Sequence, residues 1–440
     1  LSLGPSSGAA ALTVVPPGPV SDQTEIEIRM GVGNEAETAK QFTVEFYWGG
    51  VGDGERIHQV EVAVPAGGVR LVSAWAPTRR RAGAHRIIAR VTGDAGEREE
   101  QTWPIRVVPS ETPALPLLQG GWCDPGVLLP GNGYPRERAI LAQDLRDAVD
   151  AMARIGMTTV VVTYVEYAGC YYPSEIPELG EQVLEFDFVE TVLSQADVNG
   201  MHVFLGLGRG GDTLLLWDGF DDPERMQRGM ALSRRVADEL WERYRGHESL
   251  YGWYLTHEAN DLPRASAYYD PVADHCHSLD PEMPVMIAPA GTPILSPETI
   301  RESSVDVLAY QDAVGAGYKD YQYTLDPEVR IADLPEVFAR YQRAHRDSGK
   351  HIWADLEIWR ANPETGYTPF HPAPIDEVIR QIGIEAQHVG MITGYEFLSQ
   401  MASPDSTLRL GGAEAVRLYA EYEDYHRRTG ERLLEAPMKP

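Results

Sequence analysis

The chain has 440 residues, 43% of them hydrophobic and 24% charged, which at roughly 150 residues per domain suits three domains, or two where one is a large barrel. That ordinary balance, with no apolar run near the ~20 residues of a bilayer span, excludes wholesale disorder and an integral membrane protein. With 66 acidic against 38 basic residues the net charge is −28, a field that repels polyanions, so neither nucleic acid nor an anionic membrane is an expected partner.

Residues 1–12 read as a flexible lead-in. The opening Leu-Ser-Leu-Gly suits a mature secreted protein, so export to the medium or a bacterial cell surface is expected. From residue 13 to 109 short alternating segments at 25–30, 41–48, 57–64, 69–74, 86–91 and 102–108 are separated by Gly- or Pro-containing turns, the pattern of a two-sheet antiparallel sandwich. The stretches 31–36 and 42–48, the Pro65-Ala66-Gly67-Gly68 turn and Gly83-Ala84-His85 resemble the immunoglobulin-like adhesion modules appended to bacterial secreted enzymes.

A Pro-bounded hinge at 109–113 changes the period, and strand-like runs then alternate with amphipathic helices. The runs 115–122, 158–167, 202–208, 250–258, 284–290, 305–312, 351–359 and 391–398 are each followed by a helical segment, at 136–155, 188–199, 223–244, 264–279, 297–303, 334–348, 374–388 and 413–429. In the first helix Leu141, Leu145, Val149, Met152 and Ile155 recur at helical spacing. Eight such units over residues 114–432, with near-continuous apolar strands and a short tail at 433–440, predict a (β/α)8 barrel of the α/β class. Cys123, Cys170 and Cys276 lie far apart without CxxC spacing, so at most one disulfide can form and no zinc site is indicated.

Barrel chemistry sits at the C-terminal strand ends. Those ends carry Gln119 and Trp122, Tyr164 and Glu166, Arg209, His257 and Glu258, Gln311 and Asp312, Asp355, Glu357 and Trp359, and Tyr395 and Glu396. Carboxylates beside aromatic rings are what glycoside cleavage requires: an acid for the leaving oxygen, a second carboxylate to attack or to activate water, and faces for sugar C–H surfaces. Alternation sets Tyr254, Thr256 and Glu258 on one face of the fourth strand, and Trp353, Asp355, Glu357 and Trp359 on one face of the seventh. A buried carboxylate without a partner costs several kcal/mol, so Asp-x-Glu between tryptophans favours function over packing. Glu166 and Glu396 are candidates to bind substrate or hold an arginine. Trp122, Tyr164, Trp359 and Tyr395 are candidate stacking platforms.

The arrangement resembles the clan of retaining (β/α)8 glycoside hydrolases whose acid/base Glu ends strand four and whose nucleophile Glu ends strand seven. Tyr251-Gly252-Trp253-Tyr254-Leu255-Thr256-His257-Glu258 and Trp353-Ala354-Asp355-Leu356-Glu357 resemble a bacterial barrel family described as uncharacterised and glycosyl-hydrolase-like. The resemblance implies Glu258 as acid/base and Glu357 as nucleophile, working without a cofactor. Where the clan has Asn before the strand-four Glu, this chain has His257, with Asn260 two residues beyond that Glu.

The expected function is thus hydrolysis of a poly- or oligosaccharide, neutral or cationic because the net negative field, with four lysines and scattered arginines, makes a basic cleft less expected. The alternatives are an inverting enzyme with Asp312 or Asp355 as base, a non-catalytic glycan binder, and a metal-dependent barrel enzyme. Three motifs carry nothing: His257-Glu258-Ala259-Asn260-Asp261 lacks the second His of HExxH, His275 and His277 point to different helix faces, and Gly206-Leu207-Gly208-Arg209-Gly210-Gly211 lacks the dinucleotide fingerprint. The long loops at 124–135, 170–185 and 313–331 are expected to build a substrate cleft.

Overall fold

The computed structural model describes residues 12–435 except 53–54, 95, 97, 135–137, 209–218 and 367. Two sheets come first. Three strands, Leu12–Val15, Glu25–Gly33 and Val69–Pro77, form one, and five, in the order Val20–Ser21, Arg98–Val108, Gly83–Gly93, Lys40–Trp48 and Arg56–Val64, form the other. Period-2 alternation builds their shared core: Phe46 lies opposite Ala89 and Val44 opposite Val91 in the register, and all four are buried among Ile26, Ile28 and Met30 of the other sheet.

One strand breaks the half-buried rule. Glu25–Gly33 alternates polar and apolar residues, yet every residue after Glu25 is buried. Its apolar face enters the sheet core, while its polar face, Glu27 and Arg29, presses on the barrel. Leu12–Val15 is likewise covered on both sides, with the Tyr251 hydroxyl donating to the Val14 carbonyl at 2.7 Å.

The barrel strands are Gly120–Cys123, Thr159–Val162, His202–Gly206, Leu250–Tyr254, Val285–Ile287, Val307–Gln311, His351–Glu357 and Met391–Tyr395. Each pairs in parallel with its neighbour, and the ring closes where Thr393 and Gly394 of the eighth meet Gly120 and Gly121 of the first. Several are shorter than the apolar runs that announce them. The run at 115–122 begins Leu115-Pro116-Leu117-Leu118, where a tight turn and the Tyr422 hydroxyl, which receives the Leu118 N–H, replace ladder bonds. Outside lie the helices Ala142–Arg154, Phe188–Asn199, Pro223–Tyr244, Leu262–Leu279, Pro297–Glu302, Pro327–Ala344, Ile375–Glu385 and Gly412–Glu435. Asp187, Asp222, Asp261, Ser296 and Asp326 cap five of them by accepting backbone N–H groups. The Asp326–Pro327 cap starts the sixth helix seven residues before the expected 334 and carries Pro335 inside it.

The lumen is packed. Trp122, Val161, Phe204, Tyr254, Met286, Val307 and Trp353 form one apolar cluster that runs on into the sheets below. Gly252 makes room for it, since a Cβ there would stand 2.4 Å from the Phe204 ring. At the N-terminal strand ends Arg29, 2% exposed, bridges Asp306 at 2.7 Å and Glu27 at 3.3 Å. It also donates to the carbonyls of Glu282 and Pro281. His277 meets Asp306, His351 meets Glu27, Trp75 stacks on His351 and Trp103 on His202. The sheets therefore cover the N-terminal end of the lumen, opposite the C-terminal mouth. All three cysteines are buried free thiols, so no disulfide joins them. Among the described residues no helix is long and apolar enough to cross a membrane.

Candidate active site

The mouth holds a cavity of about 530 Å³. Nine of the residues singled out in the sequence line it: Trp122, Tyr164, Tyr254, Glu258, Gln311, Asp355, Glu357, Trp359 and Tyr395. Strand alternation puts them there. Tyr254 points inward and Glu258 follows four residues on, while Trp253 and His257 turn to the helical layer. On the seventh strand Trp353 fills the lumen, with Asp355 and Glu357 above it at the cavity.

Glu357 is held from two sides. Its Oε2 accepts the Gly315 N–H at 2.6 Å, and its backbone N–H donates to Asp312 at 3.2 Å. Burial first, and then the charge of Asp312, push the Glu357 carboxyl well above the usual carboxylate range, against the pull of the Gly315 N–H and Arg330. Asp355 is raised in the same direction, by burial and then by Glu357, Asp312 and Glu258. Its Oδ1 is buried without a hydrogen-bond partner. The Trp122 indole donates to Thr393 at 2.9 Å and stands edge-on to Tyr254, giving the cavity an aromatic floor. Trp359 stacks on Phe370 with centroids 3.9 Å apart.

The remaining described candidates lie off the cavity, among them Gln119, which precedes the first barrel strand and donates its amide to the Pro19 carbonyl at the N-terminal end. Asp312 is fully buried behind Glu357, where it accepts the N–H groups of Val314 and Glu357 and, with the amide suitably turned, that of Gln381 at 2.9 Å. Burial lifts it to about 6, with Glu385 beside it. It therefore meets Glu357 from behind and does not line the cavity. Glu396 caps the short helix Phe397–Gln400 through the N–H groups of Leu398 and Ser399 and is raised by burial to about 8. His257 packs its ring on Tyr268, 4.9 Å away, in the helical layer. Glu166 is buried against Gly208, two residues past the end of the third barrel strand. Asn260 accepts the Ile294 N–H through its backbone in the loop after strand four. Arg209 lies outside the described residues.

Asp124 is the main residue the sequence reading passed over. It lines the cavity, and its carboxylate accepts the Tyr164 and Tyr395 hydroxyls, the latter at 2.7 Å, and the Gly126 N–H at 2.7 Å. The inward alternation of Gly120 and Trp122, carried two residues past Trp122, would have reached it. Asn132, Tyr134, Tyr167 and Phe370 also line the cavity. Of the three long loops only 124–135 contributes to the described lining. The loop at 313–331 acts from behind through Gly315, and 170–185 stays away.

A family model described as Domain of unknown function (DUF4434) matches residues 138–408. No curated protein matches the chain. Among solved structures, a Bacteroides thetaiotaomicron VPI-5482 protein provisionally described as an alpha-L-fucosidase is 20% identical with a TM-score of 0.53, covering 71% of this chain and 93% of its own. A GH2 beta-galacturonidase from Eisenbergiella tayi is 13% identical over 92% of this chain and 69% of its own, at a TM-score of 0.44. A beta-D-glucuronidase from Dictyoglomus thermophilum is 13% identical over 96% and 69%, also at 0.44. The first of these likenesses reaches the fold, and the other two are too distant to carry an argument.

Proposed function

The chain belongs to the family described as Domain of unknown function (DUF4434), and for it we propose a glycoside hydrolase that cleaves a poly- or oligosaccharide with Glu258 as acid/base and Glu357 as nucleophile. The observation that carries this reading is that Glu258 and Glu357, about a hundred residues apart, line one aromatic-walled cavity at the open end of the barrel. The barrel shared with the provisionally described fucosidase is in keeping with it.

In the first step Glu258 gives its proton to the glycosidic oxygen as the C–O bond breaks, and Glu357 attacks the anomeric carbon to form a glycosyl ester. In the second, Glu258 takes a proton from water, whose oxygen displaces Glu357 and restores both carboxyls. Asp312, behind Glu357 and out of the cavity, is poorly sited to activate water, which leaves Asp355 as the base that an inverting route would need. None of the described lining residues is Lys, Arg or His, which supports a neutral or cationic saccharide. We assign the activity to the outside of the cell, where polymeric saccharides are met. Residues 13–109 are then an immunoglobulin-like module fixed under a catalytic barrel at 114–432.

The test is a panel of poly- and oligosaccharides with the anomer of the first product followed by NMR. Wild type should release product with retained configuration, and E258Q and E357Q should each lose roughly 10²–10⁴ in kcat. Equal rates for wild type and E357Q would overturn the assignment. Binding without turnover by wild type would make the protein a glycan binder.

A further inference from the structure

The cavity has an unbalanced charge. Asp124, Glu258, Asp355 and Glu357 line it, and no described lining residue is basic. Behind it, Asp312 and Glu385 add two more buried carboxyls. Arg330, on helix Pro327–Ala344, reaches Glu357 with its field, but its guanidinium is spent on the carbonyls of Asp312 and Gly291 and the Thr292 hydroxyl. Asp355 is 3% exposed, and one of its oxygens has no hydrogen-bond partner. Buried acids grouped in this way are accommodated by keeping protons or by positive charge brought from outside the protein.

Resting on the glycosidase reading, we propose that the substrate carries an unsubstituted amino group, an amino sugar whose ammonium is received by Asp355 within the field of Asp124, Glu258 and Glu357. The walls are aromatic, with Trp122, Tyr254 and Trp359 lining the same cavity as the acids. The chemistry agrees. Glu357 must be ionised to attack, yet it is surrounded by Asp355 on its own strand, Glu258 from the fourth, Asp312 after the sixth and Glu385 on the helix Ile375–Glu385. The Tyr323 hydroxyl, on the loop after the sixth strand, feels Glu357 and Glu258 as well. A bound ammonium lowers the cost of ionising both Asp355 and Glu357, so the substrate completes the nucleophile. A hydroxyl or an N-acetyl group brings no charge and gives these acids no such help.

Proton release is the consequence that can be read. Full-length E258Q is titrated calorimetrically at about pH 6, where a sugar amine is charged, in two buffers of different ionisation enthalpy. The probes are oligomers of glucosamine and galactosamine, their N-acetylated forms and the corresponding plain hexose oligomers. The amine series should bind at least roughly tenfold tighter than its plain counterpart, release protons, and weaken with salt. The D355N variant should lose that preference, and the proton and salt measurements on the parent stand if D355N fails to fold. Equal or tighter binding of the plain or N-acetylated series, or no binding of either amine series, would overturn the proposal. Turnover by wild type separates the two readings: hydrolysis of neutral sugars alone removes the amine and keeps the hydrolase, whereas amine binding with no hydrolysis of any probe keeps the amine and removes the hydrolase.

Discussion

Glu357 and the acids around it set the behaviour of the site at the scale of single residues. Because the Asp312 charge helps to raise the Glu357 carboxyl, removing it makes that carboxyl easier to ionise. D312N should move the acid limb of the pH–rate profile to lower pH, and a limb that stayed in place or rose would show that Asp312 does not tune Glu357. Glu385 is raised well above its ordinary value by burial and then by Asp312. The native state therefore holds protons that the unfolded chain has already released above about 4.5. The linkage sign follows: stability is full below that pH and falls as pH rises, by about 1.4 kcal/mol for each unit of displacement traversed. E385Q should thus raise the Tm at pH 8 and leave it nearly unchanged at pH 5, measured by thermal melts across that range. At this scale the sequence was legible wherever strand alternation held, as for Glu258, Asp355, Glu357 and Trp359. It failed where the backbone leaves the strand. His257 and Glu396 look like mouth residues because they adjoin ones that are, but one step of alternation turns His257 outward, and Glu396 is consumed as a helix cap.

At the scale of elements, buried apolar runs overstate strand length, because the lumen and the helical layer bury residues that no longer pair. The run at 158–167 contains a ladder of only Thr159–Val162, and Tyr164 beyond it is free to turn its hydroxyl to Asp124. Helix starts read well where Asp or Ser precedes a Pro-containing first turn, as at Pro223 and Pro297, although the same signal at Asp326–Pro327 was passed over. The loop after strand six is the element on which the site most depends. It supplies the Gly315 N–H to Glu357 and then turns back at Gly317, whose φ of +60° and 2.2 Å from a built Cβ to the Asp326 carbonyl exclude any side chain. G317A should cut kcat by roughly tenfold or more by displacing that N–H, while the Tm moves by only a few degrees. A folded G317A with unaltered kinetics would mean that the loop does not position Glu357.

For the whole molecule, the underside matters as much as the mouth. Against the pull of burial, Arg29 and His351 hold Glu27 below its usual range, and Arg29 and His277 hold Asp306 lower still. Their contribution is complete above the unfolded carboxylate values and is lost as acid protonates them, opposite in sign to the mouth. Stability should therefore peak between the two. R29A leaves Glu27 and Asp306 buried without their guanidinium and should cost about 3–5 kcal/mol. If the sheets and barrel fold as a unit, calorimetry of R29A should still show one transition at lower temperature, and two separate transitions would refute the coupling. This union was hidden in the sequence, because the alternating Glu27 and Arg29 read as a solvent face when their partner surface, Asp306 and His351, lies some 280 to 320 residues away.

The continuity of the lumen cluster with the sheet core has a bearing on how such chains diversify. A recombination event that exchanged the leading segment for another would strip Trp75 and Trp103 from His351 and His202 and let water reach the floor beneath Trp353. Inheritance should therefore treat the two parts as one cassette, with new specificities arising from the rim loops and not from swapping what lies below.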